Sequence, residues 1–481
     1  MASLKRLLLF SAALLLILLA GCGGSSSNPK PQGGFTNANL NGAYAVSFSG
    51  SNANGFFAVA GTVTLDGAGH ITTGVLDDNR SPSPLTNLAV SGTYSVRSDG
   101  RGVATLVTTA GNFNLVFVIV GGNRALITRF EQSATGSGAM DLVNSGAFST
   151  AALAGTFVFN LSGLGASGNT GATVGAITTD SAGNITSGVQ DLADNGTISA
   201  NQPISGGTVQ VASNGRGTAT VNTSAGARNF VFYVVDANRL KLVELDSLPA
   251  LAGDAFRQSG AASNASVNGA FAFTLSGNDS VQGPFAAGGV LTSNGAGAIT
   301  SGVEDLNDGG NLVPGTPLTG SYSIGGNGRG TATITAGANT FTFAVYPTTN
   351  GIQLLETDTN LVASGAAFQQ SSGLATALIN GNYGLNMTAA TAGGELDSIA
   401  SLSANGTGHI TGITDINNAG STSTGTSLTA SYSVDASGRG PFTVQTGIGQ
   451  QNMTIYAVSS SRALFIEMDG NLVAVGAIEH Q

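Results

Sequence analysis

From residue 40 onward, apolar side chains recur at every second position over short runs, the period of strands with one buried face. Four such runs place Tyr44/Val46/Phe48, Phe157/Phe159/Leu161, Phe271/Phe273/Leu275 and Tyr383/Leu385/Met387 on one side. A later set does the same with Phe113/Leu115/Phe117/Ile119, Phe230/Phe232/Val234, Phe341/Phe343/Val345 and Met453/Ile455/Ala457. Asp99-Gly100, Asn214-Gly215 and Asn327-Gly328 interrupt alternating runs and predict hairpins with type I′ turns. No stretch after residue 22 keeps a 3.6-residue period, so the pattern predicts an all-β body.

The runs repeat as blocks. Four landmarks recur in one order: an opening strand near 40, 153, 267 and 379; a turn ending in Asp77, Asp191, Asp305 and Asp415; Gly-Arg-Gly centred on Arg101, Arg216, Arg329 and Arg439; and a late strand beginning at Arg124, Arg239, Ile352 and Arg462. Successive Gly-Arg-Gly arginines lie 115, 113 and 110 residues apart. Such a period is the mark of a tandem array. The division expected is a signal peptide at 1–21, a Gly/Ser/Asn/Pro tether at 22–38, and β repeats at 39–148, 149–262, 263–374 and 375–481.

The first copy divides into about eight strands, at 42–49, 56–65, 70–77, 91–97, 101–108, 112–120, 124–131 and 137–143. Short links favour antiparallel neighbours, and eight such strands close most naturally into an up-and-down barrel with no free edge. A β-sandwich is the alternative, and a single propeller with two blades per copy is a third. The Gly-x-Tyr/Phe opening resembles the Gly-x-Trp start of lipocalin- and avidin-like barrels, which implies shape only. Each copy has apolar strands enough for its own core, so the reading is four separate beads.

Composition narrows the partners. Charged residues make up 9% of the chain against about 25% in a typical domain, while 41% are hydrophobic and Gly numbers 72 of 481. A formal charge of −10, with three lysines in all, excludes the clustered cations that nucleic acid needs. Cys22 is the single cysteine, so an internal disulfide is impossible.

Lys5 and Arg6 precede an apolar run over 7–20, too short for a spanning helix but suited to a signal peptide. Leu19-Ala20-Gly21-Cys22 follows and resembles the lipobox of bacterial lipoprotein precursors. That resemblance implies diacylglycerol on the Cys22 thiol, cleavage before it and acylation of the new amine, palmitate being the usual chain. Gly23, which is not Asp, then implies the outer membrane or cell surface in a two-membrane cell.

Candidate chemistry is thin. Arg101, Arg216, Arg329 and Arg439 read either as turn residues pairing with a carboxylate or as four anion or glycan contacts. Glu244/Asp246, Glu356/Asp358 and Glu467/Asp469 share a strand face at a spacing that suits paired-carboxylate hydrolysis, yet no third group accompanies them. The Asp-rich loops after Asp77, Asp191, Asp305 and Asp415 fail calcium-loop spacing, and His70 and His409 are replaced by Asn184 and Ala298 in sister copies. No metal, cofactor or catalytic group is expected. The expectation is a non-catalytic cell-envelope lipoprotein with a structural or adhesive role, held at the membrane by lipid and meeting a protein or glycan partner. A carrier of apolar ligands inside the barrels is the alternative, and a secreted hydrolase the third reading.

Overall fold

The computed structural model describes residues 34–481 except 81, 82, 122, 259 and 448. The leader, Cys22 and the tether before residue 34 lie outside the described residues. No α-helix occurs among those described; the chain is strands joined by turns and single 3₁₀ turns.

Four closed antiparallel barrels follow one another. They run from Asn41–Asn52 to Ala134–Leu142, from Gly155–Leu164 to Ala250–Arg257, from Asn268–Asp279 to Leu361–Gln369, and from Asn380–Thr391 to Leu472–His480. In each, the last strand pairs back with the first, as in Tyr44↔Leu142, Phe157↔Arg257, Phe271↔Gln369 and Tyr383↔His480. Sandwich and propeller are therefore excluded. In the first barrel the fourth strand is split into Leu85–Ala89 and Ser91–Val96, and the first of these pieces was missed by the periodicity.

The alternating aromatic residues point inward as their spacing requires, and each barrel has its own core. The closing seam depends on a glycine. A Cβ at Gly138, Gly253 or Gly365 would stand within 2.0 Å of a carbonyl oxygen of the opening strand. Only a bare backbone lets first and last strands approach that closely.

The interiors are filled. Voids of about 20, 50 and 20 Å³ remain in the first, third and fourth barrels, room for a water or two. Ligand clefts run to roughly 300–1,000 Å³. In the second barrel Phe157, Phe159, Leu161, Phe232 and Leu251 pack together. The carrier expectation fails here, because the Phe-rich faces fill the barrels they line.

The barrels are also not separate beads. The outward faces of the first three strands of each barrel pack on the last three of the next, and the fourth packs on the first. The four form a closed ring and one compact unit. Small apolar side chains fill the joints: Ala45, Ala58 and Ala60 against Val231, Tyr233 and Val243, for instance, and Ile399 against Val116, Val118 and Val120.

Three late-strand glutamates end inside their barrels. Glu244, Glu356 and Glu467 are fully buried, and burial, reinforced by the carboxylate two residues on, raises each from the ordinary 4.5 to about 9. In the first copy Arg129 takes this place, its guanidinium 4.6 Å from the Phe57 ring and 5.0 Å from that of Phe113. Each glutamate keeps its proton in the folded chain at neutral pH but releases it on unfolding. The stability these three carboxyls contribute is therefore fullest below pH 4.5 and declines as pH rises towards 9. Glu→Gln at all three sites should raise stability at pH 8 by at least about 1.4 kcal/mol per site, the worth of one pKa unit, and change it little at pH 4. Denaturant melts at the two pH values check this; equal gains at both would contradict it.

Candidate functional site

Each Gly-Arg-Gly closes a hairpin. The first glycine takes positive φ, +83° at Gly100, +81° at Gly215, +84° at Gly328 and +91° at Gly438, whereas Asp99, Asn214 and Asn327 do not. The turn is thus type I followed by a left-handed glycine, not the expected type I′, with bonds such as Gly215 N–H to the Ala212 carbonyl at 3.0 Å and Ala212 N–H to that of Arg216 at 2.9 Å. The second glycine lies under the core: a Cβ at Gly102 or Gly217 would meet the Phe117 or Phe232 ring at 2.2 and 2.1 Å. Between them the arginine is thrown outward.

It lands on the preceding barrel. Arg216 grips Asp77 through two parallel bonds of 2.8 and 2.7 Å, Arg329 grips Asp191 at 2.7 and 2.6 Å, and Arg439 grips Asp305 at 2.8 and 2.5 Å. Arg101 of the first barrel donates to Asp415 of the fourth at 2.9 Å and joins the two ends of the chain's fold. The aspartates at the first three joints are wholly buried, and each also accepts a tyrosine hydroxyl, from Tyr233, Tyr346 and Tyr456. The joint between fourth and first barrels has Val118 at that place, and there Asp99 takes the Arg101 Nε at 3.0 Å. All four aspartates receive a main-chain N–H from ten residues on, which fixes their own loop. Bonding to the aspartate is the foremost reason that the pKa values of Arg216, Arg329 and Arg439 rise.

A second contact lies two residues beyond the aspartate. Asn79 donates to the carbonyls of Glu244 and Asp246, Asn307 to those of Glu467, Asp469 and Leu472, and Asn417 to those of Arg129, Glu131 and Ala134. In the second copy this residue is Ala193, which joins an apolar cluster with Val158, Val174, Tyr346 and Leu355.

Ring closure leaves a cavity of about 940 Å³ lined by all four barrels. Its wall carries the outward residue at one position of every opening strand, Ser47, Asn160, Thr274 and Asn386, with further hydroxyls and amides from Ser137, Ser276, Gln353, Ser364 and Thr388. Charges cluster where the late strands meet. Asp141 receives Arg124 at 2.7 Å, Arg239 at 3.1 Å and Lys241 at 2.9 Å. Asp254 receives Arg239 at 2.6 Å, and Glu479 receives Arg124 at 3.2 Å. Burial works against ionisation of Asp141, yet Lys241, Arg124 and Arg239 together hold it well below the carboxylate range. Burial pulls the Lys241 ammonium down.

The sequence-derived candidates are thus distributed as follows. Each of Arg101, Arg216, Arg329 and Arg439 meets a carboxylate of a neighbouring barrel, and Arg101 also meets Asp99 of its own. Cys22 lies outside the described residues. The Glu/Asp pairs are barrel-end features: each Asp takes a main-chain N–H across the hairpin, from Asn229, Thr342 and Asn452. The Asp-rich loops supply the clamp, and among the described residues no cluster of three or more His, Cys, Asp or Glu suits a metal. His70 pairs with Asp66 on the surface at 2.8 Å. What periodicity missed is the axial cavity, because an outward polar residue looks the same whether it faces solvent or an axis shared with three sister barrels.

No known protein family matches the sequence, and no curated protein matches it. Among solved structures the chain is similar to transferrin binding protein B from Haemophilus parasuis Hp5, at 10% identity over 90% of this chain and 76% of that one, with a TM-score of 0.21. Intact Ap-TbpB, with N and C lobes, gives the same values. A protein of unknown function of the DUF3598 family from Nostoc punctiforme is 8% identical over 92% and 97%, with a TM-score of 0.17. No identity follows from likeness at that level.

Removing one member of a buried pair leaves the other charge unpaired, at a cost of about 3–5 kcal/mol. Arg329→Ala, which strands Asp191, should cost about that much, while Asp191→Leu with Arg329→Met should cost far less. Urea unfolding of single and double variants measures both, and equal losses would show that the clamp's charges are not coupled.

Proposed function

We propose that the chain is a non-catalytic, lipid-anchored protein of the cell envelope that presents its four barrels as one preassembled ring for binding or structural support. The observation that carries this reading is the closure of the ring by Arg101 on Asp415. A string of beads gains multivalent reach, whereas a ring gains rigidity and an axis on which residues from every copy converge. The recurrent arginines and aspartates serve assembly, and the barrels are packed solid, so binding is left to the outer surface and the axis. The Leu19-Ala20-Gly21-Cys22 segment supports attachment through acyl chains, several of which together hold a protein stably at a membrane. A protein or glycan partner at the cell surface fits this arrangement.

Cys22→Ser should abolish incorporation of labelled palmitate and move the protein from the detergent phase to the aqueous phase. Detergent partitioning unchanged by the substitution would remove the anchor from the reading. Protease added to intact cells should degrade the ring only if it faces outward.

A further inference from the structure

We propose that the axial cavity is a binding site for a small anionic polyol, a sugar acid or sugar phosphate, whose charged group is taken by Arg462. The inference deepens the reading of the ring as a binding module and rests on its closure, but not on the lipid anchor.

The charged end of the cavity does not balance. Arg124, Arg239, Lys241 and Arg462 face Asp141, Asp254 and Glu479, four cations against three acids, in a chain whose formal charge is −10. The imbalance is localised. Arg124, Arg239 and Lys241 each hold a carboxylate at 2.9 Å or closer. Arg462 has only a 3.9 Å approach to Glu479, which Arg124 already engages at 3.2 Å. Its Nε is buried with no hydrogen-bond partner among the described residues, as is that of Arg124, but Arg124 donates its Nη1 to Asp141 at 2.7 Å whereas Arg462 has no such bond. The guanidinium lies 4.0 Å from the Phe368 ring, which fixes its plane, and 30% of the side chain stays accessible. A flat guanidinium with spare donors, held on an aromatic face, matches a carboxylate or phosphate edge.

The neighbouring wall supplies the rest of the specificity. Strand pairing sets Gly351, one residue before the expected Ile352, at the place that Arg124, Arg239 and Arg462 hold in the other copies, so this quadrant lacks a cationic side chain there. Asn350, Gln353 and Ser364 line the cavity there, and Ser276 lies on the adjoining strand opposite Ser364. Hydroxyl and amide groups of this kind pair with the hydroxyls of a polyol. The volume, about 940 Å³, is that of a small-molecule cleft.

The test is calorimetric titration of the detergent-solubilised full-length protein with glucuronate, glucose 6-phosphate, inorganic phosphate and glucose at low salt. Glucuronate or glucose 6-phosphate should bind at least tenfold more tightly than glucose and than inorganic phosphate, more weakly as salt rises. Arg462→Gln should lower that affinity at least tenfold without changing the melting temperature by more than a few degrees, and Arg462→Lys should retain part of it. Four outcomes overturn the proposal: no binding by any probe, glucose binding as tightly as the anions, inorganic phosphate binding as tightly as the polyols, or an affinity untouched in Arg462→Gln. Should Arg462→Gln fail to fold, Gln353→Leu takes its place, and the polyol affinity must then fall while that for phosphate stays. Small-angle scattering on the same sample reports the ring itself, so an intact ring without binding refutes the site alone.

Discussion

A buried bidentate contact between the arginine of one barrel and the aspartate of the barrel before it is the constraint on which the molecule depends. Taking two charges out of water is costly, and such a pair is seldom the cheapest way to stabilise a joint. What it supplies is direction. Two parallel N–H···O bonds fix distance and angle together, while the surrounding Ala, Val and Ile contacts tolerate sliding. The tyrosine hydroxyl and the main-chain N–H on the same carboxylate tie that angle to the barrel wall and to the loop behind it. Where the tyrosine is lost, at Val118, polar contacts take over: Asp397 accepts from Thr135 at 2.6 Å and Ser137 at 2.7 Å, and Asn386 donates to Thr128 and Ser137.

An angle fixed at three joints by paired bonds, and at the fourth by a single bond from Arg101 to Asp415, has a consequence. Contact of one face with a different face on the next copy either closes into a ring or continues without end. Here it closes after four, and because the copies share one chain no joint waits on the meeting of separate molecules. Closure also covers the outward apolar face at both ends of the array. In an open row, Ile399 of the last barrel and Val116, Val118 and Val120 of the first would be bare to solvent.

Much of this was written plainly in the chain. Period-two runs with aromatic residues on one face gave the strands, and Gly-Arg-Gly at regular intervals gave four copies. The barrel followed from strand number and short links. The ring was harder to see, although its signal was present: Val116–Val120 and Val231–Val235 are continuous apolar runs, the pattern of strands buried on both faces. Read for one face alone, they yielded a barrel core and left the second face unexplained. The pairing of Arg216 with Asp77, 139 positions apart, has no local trace. The Glu244, Glu356 and Glu467 carboxyls, set at the end of an alternating strand, look the same on paper as a solvated rim. The axial cavity depends on closure, and so was illegible until the ring was known.

Differences among the copies follow from the same geometry. Clamp positions scarcely vary, because each joint needs its own pair: Arg with Asp occurs four times, and tyrosine is replaced once. Around the axis the copies diverge, with Arg124, Arg239, Gly351 and Arg462 at one position, Leu126, Lys241, Gln353 and Leu464 at a second, and Asp141, Phe256, Phe368 and Glu479 at a third. Four joints are four separate sites, but the axis is a single site to which every copy contributes. A shared site needs its cations balanced by nearby acids: Arg124, Arg239 and Lys241 stand there with Asp141 and Asp254, and a further arginine in place of Gly351 would only add to that positive charge. Symmetry is therefore kept where contacts are repeated and broken where they are shared, and the breaking leaves Arg462 as the cation without a close carboxylate.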